Sequence, residues 1–200
     1  MMKLEDYKVV FAVVGLICVL LLAVPALSLA VHFPAGEKFS ELWVLGSGHM
    51  AEDYPFNVNE SGSYLVYLGV ENHLSSSAYY EVILKFRNES ESLPNETAGV
   101  FSSLPPLYVY RVFLQDGRSW EQPLSFSFLQ VSAAQNQSVV GGLTVNGVTL
   151  SVNKHAVWDD EDSGYFYELF MELWIYNVTS DAFQFHNRFV GLWLNVTAAS

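Results

Sequence analysis

The stretch YFYELFMELWIY, Tyr165 to Tyr176, admits two readings, and the two imply different folds. Read at a period of two, Tyr165, Tyr167, Leu169, Met171, Leu173 and Ile175 share one face, with Glu168 and Glu172 on the other, as in a half-buried strand. Read at helical spacing, Leu169, Phe170, Leu173 and Trp174 form an apolar stripe. The unbroken alternation and the aromatic content favour the strand, with the helix as the alternative. As a strand it presents Glu168 and Glu172 as a solvent-facing stripe. A glycosidase-type pairing of these acids depends on their separation in space, which spacing along the chain does not set.

The neighbouring segments repeat the strand pattern. In LTVNGVTL, Leu143 to Leu150, an Asn-Gly pair sits between two β-prone runs, the composition of a two-residue type I′ hairpin whose central residues both take positive φ. Leu42 to Leu45 reads as a first strand, and Ser63 to Val70 and Tyr79 to Phe86 as an antiparallel pair. Leu107 to Leu114 and Leu124 to Val131 read as further strands, set apart by the turn-forming Asp116-Gly117. Phe183 to Phe185 and Phe189 to Val196 follow, separated by Asn187-Arg188. Asn88 to Thr97, polar and containing Pro94, reads as an exposed loop, and Gly46-Ser47-Gly48 as a turn. Seven or more strands without a βαβ rhythm predict an all-β fold, an immunoglobulin-like β-sandwich, with a jelly roll as the fold-level alternative. The cysteine pair typical of antibody domains is absent, because the single cysteine is Cys18.

Cys18 lies in a second informative segment, VVFAVVGLICVLLLAVPALSLAV, residues 9–31, which carries no charge. A helix over this run would be about 35 Å long, enough for a hydrocarbon core of about 30 Å. The run is longer than the apolar core of a cleavable signal, although Pro25 and the small residues Ser28 and Ala30 keep removal open as an alternative. Lys3 and Lys8 precede the run and Lys38 is the first basic residue after it, which predicts an N-terminus inside and the bulk of the chain outside. The expected organisation is a cytoplasmic tail at 1–8, one N-terminal transmembrane helix in membrane lipid at 9–31, a stalk at 32–41 interrupted by Pro34 and Gly36, and an extracytoplasmic β-sandwich domain at 42–200.

Nearly all of the net charge of −12 belongs to the part beyond the run, which disfavours nucleic acid as a partner. Six Asn-X-Ser/Thr triplets lie there, at Asn59, Asn88, Asn95, Asn136, Asn177 and Asn195, and none precedes the run. Because the triplet is used only on translocated chain, its one-sided distribution agrees with the topology drawn from the lysines.

Between Gly36 and His73, the segments FSELWVLG (Phe39 to Gly46), AEDYP (Ala51 to Pro55) and GVENH (Gly69 to His73) resemble an uncharacterised domain family of archaeal membrane proteins. The closing LWLNVT, Leu192 to Thr197, is similar to that family's last strand. Members often carry several N-terminal spans, where this chain has one candidate. The resemblance implies an archaeal envelope protein with an immunoglobulin-like outer domain of a kind that binds proteins or sugars, and it supplies no catalytic residues.

Motifs for chemistry are sparse. Asp159, Asp160 and Asp162, with Glu161 between them, form the densest acidic run and the only calcium candidate, but they are contiguous rather than placed at EF-hand positions. The run reads first as a solvated loop. His32, His49, His73, His155 and His186 are dispersed, with no HExxH spacing, and no nucleophile elbow, P-loop or dinucleotide fingerprint is present. No catalytic or cofactor-binding residue is therefore assigned. Among five tryptophans, Trp120 and Trp158 flank polar loops and are candidates for a sugar-stacking or protein-binding surface.

Together these features predict a membrane-anchored, N-glycosylated cell-envelope protein, not an enzyme, acting as an interaction or structural module. Its expected partner is an envelope or surface protein, or another copy of itself. The alternatives are a secreted, pilus-like filament subunit assembled by strand complementation, and a calcium- or sugar-binding surface domain.

Overall fold

A computed structural model of the chain describes residues 7, 8, 10–19, 21, 37–60 and 62–198. The chain divides into Met1–Lys38 and Phe39–Ser200. In the first unit residues 7, 8, 10–19 and 21 are helical. Among the described residues no helix is long and apolar enough to cross a membrane. Residues 9, 20 and 22–31 of the expected span, and the cleavage candidates Ser28 and Ala30, lie outside the described residues.

The second unit contains ten strands among its described residues: β1 (Phe39–Leu45), β2 (Asn57–Asn59), β3 (Tyr64–His73), β4 (Ala78–Asn88), β5 (Tyr108–Leu114), β6 (Arg118–Ala134), β7 (Gln137–Val145), β8 (Val148–Val157), β9 (Phe166–Asn177) and β10 (Ala182–Thr197). They form two five-stranded sheets, ordered β1-β3-β6-β7-β8 and β2-β10-β9-β4-β5, with only the β2–β10 contact parallel. Alternate residues of both sheets meet in one core, among them Val66, Leu68, Leu124, Phe126, Phe128 and Leu143 from the first and Tyr80, Leu84, Tyr167, Leu169, Met171 and Leu194 from the second. Each large apolar side chain buried in this way contributes about 1.5–3 kcal/mol. The protein is an all-β sandwich.

Tyr165–Tyr176 is indeed a strand, displaced by one residue, and the helical reading of it is excluded. The Asn146-Gly147 hairpin forms as read, with φ of 47° and 80° at its two centres. A second such turn, at Gln135-Asn136 with φ of 50° and 70°, joins β6 to β7 without a glycine to announce it.

Four expectations are corrected. The segments assigned as an antiparallel pair, now β3 and β4, lie in different sheets: β3 pairs with β1 and β6, and β4 with β5 and β9. The Asn72 side chain explains the change of sheet. Its Oδ1 accepts the Leu74 N–H at 3.1 Å, and its Nδ2 donates to the carbonyls of Ser76 at 2.8 Å and Leu114 at 3.0 Å, making a corner rather than a hairpin. Second, β1 begins at Phe39, so residues 39–41 belong to the sheet and not to a stalk. Third, Phe183–Phe185 and Phe189–Val196 are one strand, whose register slips between Phe185 and Arg188, where Asn187 adopts φ 52°. Fourth, β6 starts six residues before the expected Leu124 and runs through Pro123. Proline is tolerated there because Pro123 pairs only with Tyr67, and β7 joins the other side of β6 from Phe126 onward.

Candidate functional site

The outer face of the second sheet differs most from expectation. On β4 the outward positions include Lys85 and Arg87, and on β9 they include Phe166, Glu168, Phe170, Glu172 and Trp174. Glu168 and Glu172, read from sequence as a solvent-facing stripe, are both buried. The reason is residues 89–107, which link β4 to β5 and lie against this face at Ser102, Glu91 and Glu96.

The four charges form two ion pairs. Lys85 Nζ lies 2.8 Å from Glu172 Oε2 and donates to the Ser102 carbonyl at 2.6 Å. Glu172 also accepts the Ser102 N–H on Oε1 at 2.7 Å and the Trp174 indole N–H on Oε2 at 3.0 Å. Arg87 Nε donates to Glu168 Oε2 at 2.6 Å, and its Nη1 donates to the carbonyls of Asn88, Glu89 and Glu91. Burial raises the Glu168 pKa above the usual glutamate value, with the hydrogen bond and charge of Arg87 acting in the opposite direction. Gly191 on β10 makes room for the second pair, since a Cβ there would lie 2.1 Å from Glu168 Oε1.

Next to the Arg87–Glu168 pair is an exposed aromatic groove. Trp193, 41% exposed, lies opposite Glu168 across the β9–β10 ladder, and the Arg87 guanidinium sits 4.8 Å from its ring centre. Phe56, 48% exposed, stands with Phe166 at a centroid distance of 6.0 Å. Phe56, Phe166, Trp193, Glu89 and Asp162 line a cavity of about 530 Å³. A second cavity of about 310 Å³ continues from Phe56 and Trp193 past Tyr54 and Val190.

The residues singled out from sequence are placed elsewhere. Trp120 packs on the core and meets Tyr110 edge-on at 5.4 Å; Trp158 meets Tyr165 edge-on at 5.1 Å. Both are half-buried. Asp159 Oδ1 accepts the N–H groups of Glu161 and Asp162 at 2.8 and 3.0 Å, so this carboxylate caps its own turn, and Asp162 lines the groove. Asp160 is exposed. Among the described residues no three His, Cys, Asp or Glu side chains are grouped as a metal site would require.

The histidines remain scattered. His49 binds Glu121 and stacks on Tyr67, His73 stacks on Phe39, and His155 is exposed on β8. His186 Nε2 lies 3.0 Å from Ser40 Oγ, which reaches the Tyr80 hydroxyl at 2.7 Å and, through it, Asn72. Burial lowers the His186 pKa, and Arg188 lowers it further. His32 lies outside the described residues.

Among the triplet asparagines, Asn59, Asn95 and Asn136 are exposed, whereas Asn88, Asn177 and Asn195 are half-buried and hydrogen-bonded through their amides. Ser61 of the first triplet lies outside the described residues. Sequence reasoning missed Trp193 as a surface residue. The signal was the alternation in Leu192-Trp193-Leu194, which turns Trp193 away from the core, but its value depends on knowing that β9 presents Glu168 beside it.

This geometry defines a two-sheet β-sandwich protein with a rigid aromatic groove on one outer face. The chain belongs to the family described as a domain of unknown function, DUF1616, whose model matches residues 34–139. That match takes in the FSELWVLG, AEDYP and GVENH segments and stops short of LWLNVT. No curated protein matches the chain. Among solved structures, similarity is found to a β-glucosidase from Listeria innocua in complex with glucose, at 9% identity and a TM-score of 0.40, covering 80% of this chain and 16% of that one. A second structure of that enzyme gives 9% identity and a TM-score of 0.40, covering 84% and 17%. The chain thus spans about a sixth of the enzyme's length, and likeness at this level carries no argument about activity.

Proposed function

We propose that the chain is a membrane-anchored, N-glycosylated cell-envelope protein whose β-sandwich, of immunoglobulin-like kind, is a non-catalytic interaction module outside the membrane. The uncharged run at 9–31, the lysines before it and the six triplets after it support the location. The observation that carries the role is the bracing of Trp193. An exposed indole is backed by a buried guanidinium that is itself fixed by Glu168 and three carbonyls. A rigid aromatic side chain loses little conformational freedom when a partner covers it, which favours its use as an anchor.

The carboxylates that an enzyme reading would use support the non-catalytic role. Glu168 and Glu172 are tied to Arg87 and Lys85, and the oxygens of Glu172 already accept backbone and indole donors. Affinity purification of the intact protein from membranes should recover a stoichiometric partner, and the apparent mass of the protein on a gel should fall on treatment with an endoglycosidase. Consistent recovery of an unmodified lone monomer would refute the proposal.

One observation favours a filament subunit as a second reading. β5 lies at the edge of its sheet, and Phe113 on it is 64% exposed, with Val109 exposed further along the same face of the strand. N-terminal sequencing of the mature chain separates the two readings: a start near Val31 supports the filament, and an intact Met1 or Met2 the anchor.

A further inference from the structure

We propose that the groove between Phe56 and Trp193 is a saccharide-binding cleft that seats a neutral pyranose against the open face of Trp193. The proposal rests on the head being an exported interaction module and names the chemistry of what it binds. Three features select this ligand.

Arg87, its charge paired with Glu168, already occupies one face of the Trp193 ring at 4.8 Å, which leaves the opposite face for a ligand. The polar side chains lining the groove beside the aromatics are Glu89 and Asp162, which when ionised only accept hydrogen bonds, on a chain of net charge −12. An anionic ligand such as a uronic acid or a phosphate is therefore repelled. A neutral pyranose matches this lining, since it offers apolar C–H groups to the ring and hydroxyl donors to the carboxylates. The cavity of about 530 Å³ is within the range of small-ligand sites.

A source for such a sugar lies on the same strand. Asn195 follows Trp193 by two residues on the same face of β10, about 7 Å along the strand, and begins an Asn-Val-Thr triplet. Its Oδ1 accepts the Tyr165 N–H at 3.1 Å, and its Nδ2 donates to Asn57 Oδ1 at 3.2 Å, leaving one Nδ2 hydrogen as the position for a glycan. The sugar can thus come from a partner or from the chain's own glycan at Asn195.

The test uses the full chain in detergent micelles, prepared from a host that does not glycosylate asparagine and from one that does. The probes are mannotriose, cellotriose and chitotriose, followed by calorimetry and tryptophan fluorescence. The unglycosylated chain should bind at least one of them, and Trp193→Ala should weaken that binding about tenfold or more. Phe56→Ala, further from the ion pair, should also weaken it, whereas Trp120→Phe should leave it unchanged. If the glycosylated chain loses probe binding and Asn195→Gln restores it, the cleft is filled by its own glycan; if it still binds, the sugar is external. Absence of binding by all three probes to the unglycosylated chain overturns the proposal, as does binding that both Trp193→Ala and Phe56→Ala leave intact. A sugar-blind protein that is still recovered glycosylated with a membrane partner would lose the cleft and keep the module. A cytosolic, unmodified chain would remove the module reading whatever the probes show.

Discussion

Replacing Glu172 by Gln tests whether the buried charges hold the 89–107 segment onto the sheet. Glu172 is fully buried and accepts two hydrogen bonds, from the Trp174 indole on Oε2 and from Ser102 N–H on Oε1, and Lys85 Nζ lies 2.8 Å from its Oε2. An amide keeps one accepting oxygen and puts an NH2 donor where the other stood, so at least one donor faces another donor, and Lys85 loses its counter-charge. Breaking a buried pair from one side costs about 3–5 kcal/mol. That is a large part of a typical domain stability of about 5–15 kcal/mol. The paired replacement Lys85→Met with Glu172→Met removes both charges together. It relieves their desolvation, a gain of about 1–4 kcal/mol in comparable replacements, and leaves the Ser102 N–H, the Ser102 carbonyl and the Trp174 indole N–H without these partners, at about 1–3 kcal/mol for each that is buried. The double variant should therefore offset the loss of the pair only in part. Urea unfolding of the full chain in mild detergent, followed by tryptophan fluorescence, gives the midpoints at constant slope. Limited proteolysis should show earlier cleavage within 89–107 in E172Q than in the unaltered chain. A loss under about 1 kcal/mol for E172Q would refute the reasoning.

Stability should fall with acidification below pH 6.5 because the buried His186 holds its proton less tightly when folded than when unfolded. The unfolded chain takes up that proton first, so stability is complete above the unfolded value and is lost as pH falls toward the lowered folded one; His186→Gln should flatten this part of the profile. Glu168 acts in the opposite sense. Its folded pKa is raised above 4.5, so the folded state binds the extra proton between the two values, stability declines as pH rises through that window, and Glu168→Gln should remove this slope in urea titrations at successive pH. Asn146→Ala should cost about 1–3 kcal/mol in the same unfolding assay, since Asn146 Oδ1 accepts the Ser125 N–H and its Nδ2 donates to the Tyr110 hydroxyl. Gly69→Ala should destabilise by about 1–3 kcal/mol with a changed Trp43 near-UV signal, because a Cβ there would lie 2.1 Å from the Trp43 ring.

What could be read from sequence was local. The period of β9 and the Asn146-Gly147 turn depend on residues within a few positions of one another, and both are found in the structure. The partner of β3 could not be read that way. Antiparallel neighbours in sequence commonly form hairpins, and only the Asn72 amide, bonded to Leu114 as well as to Ser76, turns this chain into the other sheet. The burial of Glu168 and Glu172 was hidden for a related reason. Alternation shows which residues share a face, but whether water reaches that face depends on residues 89–107, whose polar first half reads as an exposed loop. The same ignorance of what covers what drew attention to Trp120 and Trp158 beside polar loops and away from Trp193. The continuous β10 was obscured by Asn187, which reads as a strand end and serves as a bulge.

The two ion pairs bear on where the inheritable unit ends. Lys85 and Arg87 fall within the stretch 34–139 shared with the family, while Glu172 and Glu168 lie beyond it, as do β9, between β4 and β10, and β10, the strand with which β2 pairs. A polypeptide trimmed to the shared stretch would have two cations with no counter-ions and half a sheet with its middle missing. Such a fragment should be expressed as an unfolded, protease-sensitive chain. The edges of family similarity are thus no guide to where this molecule can be cut, and any truncation intended to fold has to keep the chain through β10.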